Sequence, residues 1–225
     1  MGSGRKLCIE YFYDVVSPYA YIGYNVLLRY RPIWQNKLIL RPVLLGGILK
    51  ESGNIPPPTV PNKFQYVKQD LTRRSDVWDV PLQMPPNFPS RTLTPMRLLT
   101  VVEQQSNNNQ QQLEALTGVL FEKIFVENAD LNDPQVLQES CRQLPNVSDT
   151  TVAEWIESSA SPKIKQLLVT STADAVNRGA FGVPTMFVTP DSDVPIHSKG
   201  EMVFGSDQFE TIARQYGLAY HGPKP

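Results

Sequence analysis

Apolar and polar positions divide this chain into three textures. Residues 9–16 crowd β-branched and aromatic side chains together, the pattern of a buried strand. Ser17-Pro18 interrupts that run, and over residues 19–34 apolar positions recur at helical spacing. Residues 38–45 form a second strand-like run that stops at Gly46-Gly47, so residues 7–46 predict a βαβ crossover. Pro42 has no N–H to give a ladder, which assigns this second strand to an edge or an irregularity. From 48 to 169 no strand stands out. Helical patterns cover 63–78, 95–105, 111–128, 133–144 and 148–160, separated by proline-rich irregular stretches at 53–58 and 81–89. A helix over 162–177, with Gly179 as its stop, leads into a strand at 185–189. A polar connection at 191–199 is followed by an antiparallel partner at 200–204. A last helix over 208–216 follows, capped by Gly205-Ser206-Asp207.

The order βαβ, helices, then αββα predicts an α/β chain with a thioredoxin-like fold interrupted by an all-helical insertion. Residues 5–47 and 170–225 would form the thioredoxin-like domain and residues 48–169 the insertion. The polar run Gln104 to Gln112 reads as a solvated loop between two helices.

Composition narrows the function classes. At 225 residues and 41% hydrophobic there is material for a sizeable core, and a net charge of −1 makes no case for nucleic acid or an anionic membrane. No apolar run is long enough to span a bilayer, and no secretory signal is evident. The two cysteines, Cys8 and Cys141, lie far apart and show no metal-ligand pattern; Cys8 reads as a small buried hydrophobe. No metal is expected.

The chemistry centres on Ser17. Ahead of Pro18 at the first helical position it sits where an N-cap belongs, beside free N–H groups and the positive end of the helix dipole. On local pattern alone it is a cap and nothing more. Val183-Pro184 is, by the same standard, an ordinary trans loop. Ser206-Asp207 reads as a helix cap, Asn54 as a turn residue and Lys63 as an exposed helix-start lysine. Pro18, Tyr19 and Tyr21 either pack their helix or wall a pocket. His197 and His221 fall in a connection and the tail, and nothing recommends a Ser-His-Asp triad.

The run from Tyr13 to Tyr21, Tyr-Asp-Val-Val-Ser-Pro-Tyr-Ala-Tyr, resembles the opening of kappa-class glutathione transferases, relatives of DsbA-type oxidoreductases and of 2-hydroxychromene-2-carboxylate isomerases. The oxidoreductases carry Cys-x-x-Cys at this turn, where Ser17 and Ala20 stand here, so dithiol chemistry is absent. Ser52-Gly53-Asn54, Gly182-Val183-Pro184 and Phe204-Gly205-Ser206-Asp207 resemble further kappa-class segments in the same order, over roughly residues 7–223. Ala20 stands where the family often has Ser, and Val183 where Leu is usual.

The resemblance implies glutathione as co-substrate and Ser17 as catalytic residue, donating its hydroxyl to the sulfur so that the thiol ionises. It implies glutathione contacts at Pro18, Tyr19, Asn54, Lys63, Val183, Pro184, Ser206 and Asp207. In this picture Pro184 is cis, Val183 pairs by its main chain with the cysteinyl unit, Ser206 takes the γ-glutamyl carboxylate, and Asp207 takes its ammonium. Conjugation to small apolar electrophiles, reduction of organic hydroperoxides, a homodimer, and a mitochondrial rather than peroxisomal or cytosolic address complete the expectation. Two other readings stand beside it: a glutathione-dependent isomerase of aromatic hydroxy acids using the same Ser17, and a non-catalytic thioredoxin-like module that binds extended peptides.

Overall fold

A computed structural model describes residues 7–105, 110–190 and 200–225. The N-terminal Met1 to Lys6, the asparagines of the polar run and the 191–199 connection with His197 lie outside them.

The first strand, β1 (Cys8–Tyr13), is the axis of the molecule. It pairs in parallel with β2 (Lys37–Pro42) and antiparallel with β3 (Thr185–Thr189), which pairs antiparallel with β4 (Glu201–Phe204), giving the order β2-β1-β3-β4. Alternation along β1 sends Ile9, Tyr11 and Tyr13 into the larger core and Phe12 into a smaller one on the opposite face. The tyrosines carry polar tips inward. Tyr11 donates to the Ala20 carbonyl at 2.7 Å, and the Tyr13 hydroxyl shares a 2.6 Å hydrogen bond with Thr117. Opposite, Glu10 is buried between Arg41 and Arg178, whose guanidinium stacks 3.7 Å from the Phe187 ring.

Helix α1 (Pro18–Trp34) crosses from β1 to β2. After β2 come α2 (Leu45–Ser52), a 3₁₀ turn (Pro57–Thr59), α3 (Pro61–Trp78), α4 (Leu93–Gln105), α5 (Gln111–Phe125), α6 (Pro134–Arg142) and α7 (Asp149–Ser159). Helix α8 (Pro162–Asn177) returns the chain to β3, and α9 (Phe209–Tyr216) closes it. This is the thioredoxin-like arrangement with helices inserted after β2. Leu98, Leu116, Phe121 and Trp155 of the inserted helices belong to the same core cluster as Ile9, Tyr11 and Met186 of the sheet. A segment boundary between 169 and 170 falls inside the continuous α8.

Three local expectations change. The strand-like run of residues 9–16 leaves the ladder after Tyr13, and Asp14 turns its carboxylate inward to accept from Val16 and Leu45. The second run ends at Pro42, which cannot donate to a further rung, and Leu45 with both following glycines starts α2 instead. Gly47 is needed there for space: a Cβ would lie 2.9 Å from the Thr172 methyl of α8. Lastly, α9 begins at Phe209 with Gln208 as its N-cap, so Ser206 and Asp207 form a turn ahead of the helix rather than its cap.

Candidate functional site

The carboxyl ends of β1, β2 and β4 and the start of β3 share one edge of the sheet, where crevices form in α/β folds. There a cleft of about 770 Å³ is lined by the Ser17 turn, the end of α2 with Asn54, the cleft face of α3, the loop before α4, the 182–184 loop and the turn at 204–207. It brings together Ser17, Pro18, Tyr19, Asn54, Val183, Pro184, Ser206 and Asp207. Lys63 is not among the lining residues. It lies exposed in the first turn of α3, one turn before Tyr66 and Val67, which do line the cleft. Tyr21 faces the core, stacked with Phe125 and tilted against Phe121, and is no part of the wall.

Ser17 is the N-cap of α1, buried, in extended backbone conformation (φ −88°, ψ 113°). Pro18 follows at the position where its missing N–H costs nothing. The Ser17 Oγ accepts the Ala20 N–H at 3.2 Å and donates across the cleft to the Val183 carbonyl at 3.3 Å. Accepting a helix N–H polarises the hydroxyl and makes it a better donor. The Val183-Pro184 peptide is cis. Among the described residues the Val183 N–H donates to nothing, while the Pro184 carbonyl accepts from Gly205 at 3.0 Å, tying this loop to the turn that carries Ser206 and Asp207.

Asn54 follows Gly53, the left-handed stop of α2 (φ +70°). Its side-chain amide donates to the Phe181 carbonyl at 2.8 Å and its oxygen accepts its own chain's Ile55 N–H at 2.8 Å. Ser17 and Asn54 thus brace the 181–183 loop from two sides.

Ser206 is 2% exposed and its Oγ has no hydrogen-bond partner. A buried hydroxyl left unpaired is costly and points to a group that completes it. Asp207 stands beside it, half-exposed, with one oxygen 3.2 Å from Arg74. The turn needs Gly205: its φ is +100°, and a Cβ would lie 2.8 Å from an Asp207 oxygen.

Two groups of site residues were not singled out in the sequence. On α3, Asp70 accepts from Tyr19 at 2.9 Å and pairs with Arg74 at 2.7 Å, and Arg74 continues to Asp207. Burial, then the Asp70 carboxylate, push the Tyr19 phenol up, so it remains a hydrogen-bond donor at neutral pH. The spacing of Asp70 and Arg74 was readable as a helical i, i+4 pair, but its contact with Tyr19 and Asp207 depends on tertiary structure. The other residue is Asp14, fully buried, with Val16 N–H at 3.0 Å on one oxygen and Leu45 N–H at 2.8 Å on the other, joined by the Thr92 hydroxyl. Burial raises its carboxyl above the ordinary value, and these three donors oppose the rise. Both thiols are remote from this chemistry: Cys8 and Cys141 are buried and free, and burial pushes Cys141 up to about 12. Among the described residues no cluster of His, Cys, Asp or Glu is arranged to hold a metal, and no helix is long and apolar enough to cross a membrane.

Comparison with known proteins agrees with this architecture. Residues 8–217 match the DSBA-like thioredoxin domain family. Over the full chain, the protein is 33% identical to glutathione S-transferase kappa 1 of Rattus norvegicus, covering 97% of that protein. It is 34% identical to glutathione S-transferase kappa 1 of Homo sapiens, over 96% of this chain and 94% of that one. Among solved structures, a 2-hydroxychromene-2-carboxylate isomerase superposes with a TM-score of 0.74 at 21% identity, over 93% of this chain and 94% of the isomerase, a likeness of fold. With a DsbA-like thioredoxin domain across nearly its whole length and these two full-length relatives, the chain belongs to the kappa class of the glutathione S-transferase family.

Proposed function

We propose that this protein is a glutathione transferase that ionises the glutathione thiol and adds the thiolate to small electrophiles. One observation carries the reading: the Ser17 hydroxyl, polarised by the Ala20 N–H, faces the cleft beside the Val183 main chain. A thiol placed there receives the hydroxyl proton as a hydrogen bond, near the positive end of α1. Both favour the charged sulfur, so the thiol proton leaves to solvent at a pH below the roughly 8.5 of a free thiol. The sulfur lone pair then attacks the electrophilic carbon. The C–S bond forms, and a leaving group such as halide departs with its bonding pair. Ser17 gives up no proton and forms no covalent bond.

The remaining tripeptide fits the groups that the cleft leaves available. The Val183 N–H suits the cysteinyl unit as an added strand would. The unpartnered Ser206 Oγ suits the γ-glutamyl carboxylate and Asp207 its ammonium. That pair of charges on one carbon is what separates glutathione from a general extended peptide, and it speaks against the peptide-binding module. The aromatic hydroxy-acid isomerase would use the same Ser17 and differ in the electrophile end of the cleft. Reduction of organic hydroperoxides, a detoxifying role, a homodimer and a mitochondrial address, with peroxisomal and cytosolic ones as alternatives, extend the proposal on kappa-class membership alone. Gel filtration and fractionation test the last two.

The deciding experiment is titration of the thiolate absorbance of bound glutathione against pH, on wild type and Ser17→Ala. A bound thiol pKa well below the free value, returning toward it in the variant, is expected. Binding with an unshifted pKa in both proteins overturns the mechanism.

A further inference from the structure

Charge bookkeeping in the cleft leaves one residue over. Its lining carries five charged side chains: Asp14, Asp70, Arg74, Arg91 and Asp207. Asp14 is satisfied by two backbone N–H groups and the Thr92 hydroxyl. Arg74 bridges Asp70 and Asp207. Of these five, Arg91 alone has neither an ion-pair nor a hydrogen-bond partner among the described residues. The same loop brings Phe88, Pro89 and Leu93 to the cleft, whose lining also includes Leu49 and the prolines at 56–58. Arg91 is also fixed relative to the chemistry. It precedes Thr92, which bonds Asp14, and Asp14 opens the turn that ends at Ser17, whose N–H donates to the Asp14 carbonyl at 3.0 Å. The paired charges lie on α3 and in the turn ahead of α9, whereas Arg91 lies in the loop ahead of α4.

An unpaired guanidinium beside an apolar pocket attracts an anion that arrives attached to apolar surface. We propose that Arg91 is a specificity-determining residue that selects electrophiles carrying a carboxylate or similar anionic group on an aromatic or other apolar body. The proposal rests on the transferase reading and names the substrate class that it leaves open. The anion is held by Arg91 while the electrophilic carbon faces the sulfur at Ser17, so the gain is one of binding and orientation.

The test compares a matched pair of aryl halides, chlorodinitrobenzene and the corresponding chlorodinitrobenzoate, on wild type, Arg91→Met and Arg91→Lys. Arg91 is exposed, so a loss of about two- to fivefold in kcat/KM is expected for the benzoate in Arg91→Met, most of it recovered in Arg91→Lys. Rates with the neutral halide and the KM for glutathione should stay unchanged. Equal losses on both halides overturn the proposal, as does a raised KM for glutathione, which would assign Arg91 to the glycyl carboxylate. If neither halide is turned over, the transferase reading fails. The subsite is then judged by equilibrium binding of nitrobenzoate against nitrobenzene, where equal affinities in wild type and Arg91→Met overturn it.

Discussion

The Asn54 side chain donates its amide to the Phe181 carbonyl at 2.8 Å, joining the end of α2 to the loop that precedes β3, 127 residues later. Both ends of this bond are exposed, so it contributes little to global stability. Its effect is local, since it holds the loop that presents Val183.

Asn54→Ala should therefore raise the KM for glutathione several-fold, to about tenfold, with kcat less affected. Thermal unfolding should move by no more than a degree or two. A collapse of kcat at unchanged KM would show that Asn54 acts in the chemical step instead.

Ser17 has two duties that different measurements separate. As an N-cap its loss costs about 1 kcal/mol of stability, read from urea unfolding of Ser17→Ala. As the donor to sulfur its loss should lower kcat/KM about a hundredfold near neutral pH, the scale of removing one preorganised hydrogen bond from an ionic transition state. Activity of the variant should climb with pH toward the free thiol's range, while wild type levels off earlier.

Asp14 makes stability depend on pH. Its carboxyl is raised in the folded protein above the ordinary 3.8. The folded state therefore holds the proton more tightly than the unfolded chain. Its contribution is fully present below the ordinary value and declines as pH rises through the raised one. Asp14→Asn removes that titration but turns an amide N–H₂ toward a backbone N–H, at a cost of about 1–3 kcal/mol. The difference in unfolding free energy, wild type minus variant, should fall with rising pH above about 4 and then flatten. A difference that rises over that interval would mean that the three donors outweigh burial.

Arg74→Met should leave the buried Asp70 carboxylate with the Tyr19 hydroxyl and the distant Arg73, 3.8 Å away, and release Asp207. Removing one partner from this mostly buried pair should cost about 2–3 kcal/mol, below the fully buried range because both groups keep some water. Denaturant midpoints measure this. The KM for glutathione should rise as well, because Asp207 loses its fixed position; unchanged KM would detach the α3 network from the binding site.

Gly205→Ala should act on the same carboxylate by another route. At φ +100° with a Cβ 2.8 Å from an Asp207 oxygen, alanine must displace either the turn or the side chain. About 1–3 kcal/mol of strain is expected, with a higher KM for glutathione and the Ser17-dependent pH profile intact.

The legible parts of this protein were those fixed by local rules. Pro18 after Ser17 has the cap-then-proline pattern of a helix start and does begin one, and Pro134 after Asp133 and Pro162 after Ser161 share that pattern at the starts of α6 and α8. The segments of Ser17, Asn54, Val183 and Ser206, which the structure brings to one cleft, were singled out only through the kappa-class resemblance, since each taken alone reads as a cap, a turn or a loop. What could not be read depended on contacts between distant segments. Helix α2 forms where two glycines suggested an end, because Ile48 is buried in the smaller core and Gly47 lets the helix approach Thr172. Ser206 precedes the final helix as a free hydroxyl, although Ser-Asp before an amphipathic run has the pattern of a cap. Lys63 shares a helical face with cleft residues but starts its helix one turn too early to line the cavity.

The hydrogen bond from Ser17 to the Val183 carbonyl changes what affinity for glutathione measures. Without ligand, the hydroxyl is already engaged at 3.3 Å, and the carbonyl it occupies belongs to the main chain that a strand-like ligand must meet. A sulfur arriving there exchanges one acceptor for another, and the number of hydrogen bonds stays constant. The gain is the difference between a long neutral bond and a charge-assisted one, so it appears only when the sulfur is ionised. A tripeptide analogue with a methyl group in place of the thiol should bind through its two ends alone, nearly independent of Ser17. Glutathione's advantage over it should grow with pH until the thiol is fully ionised and then level off.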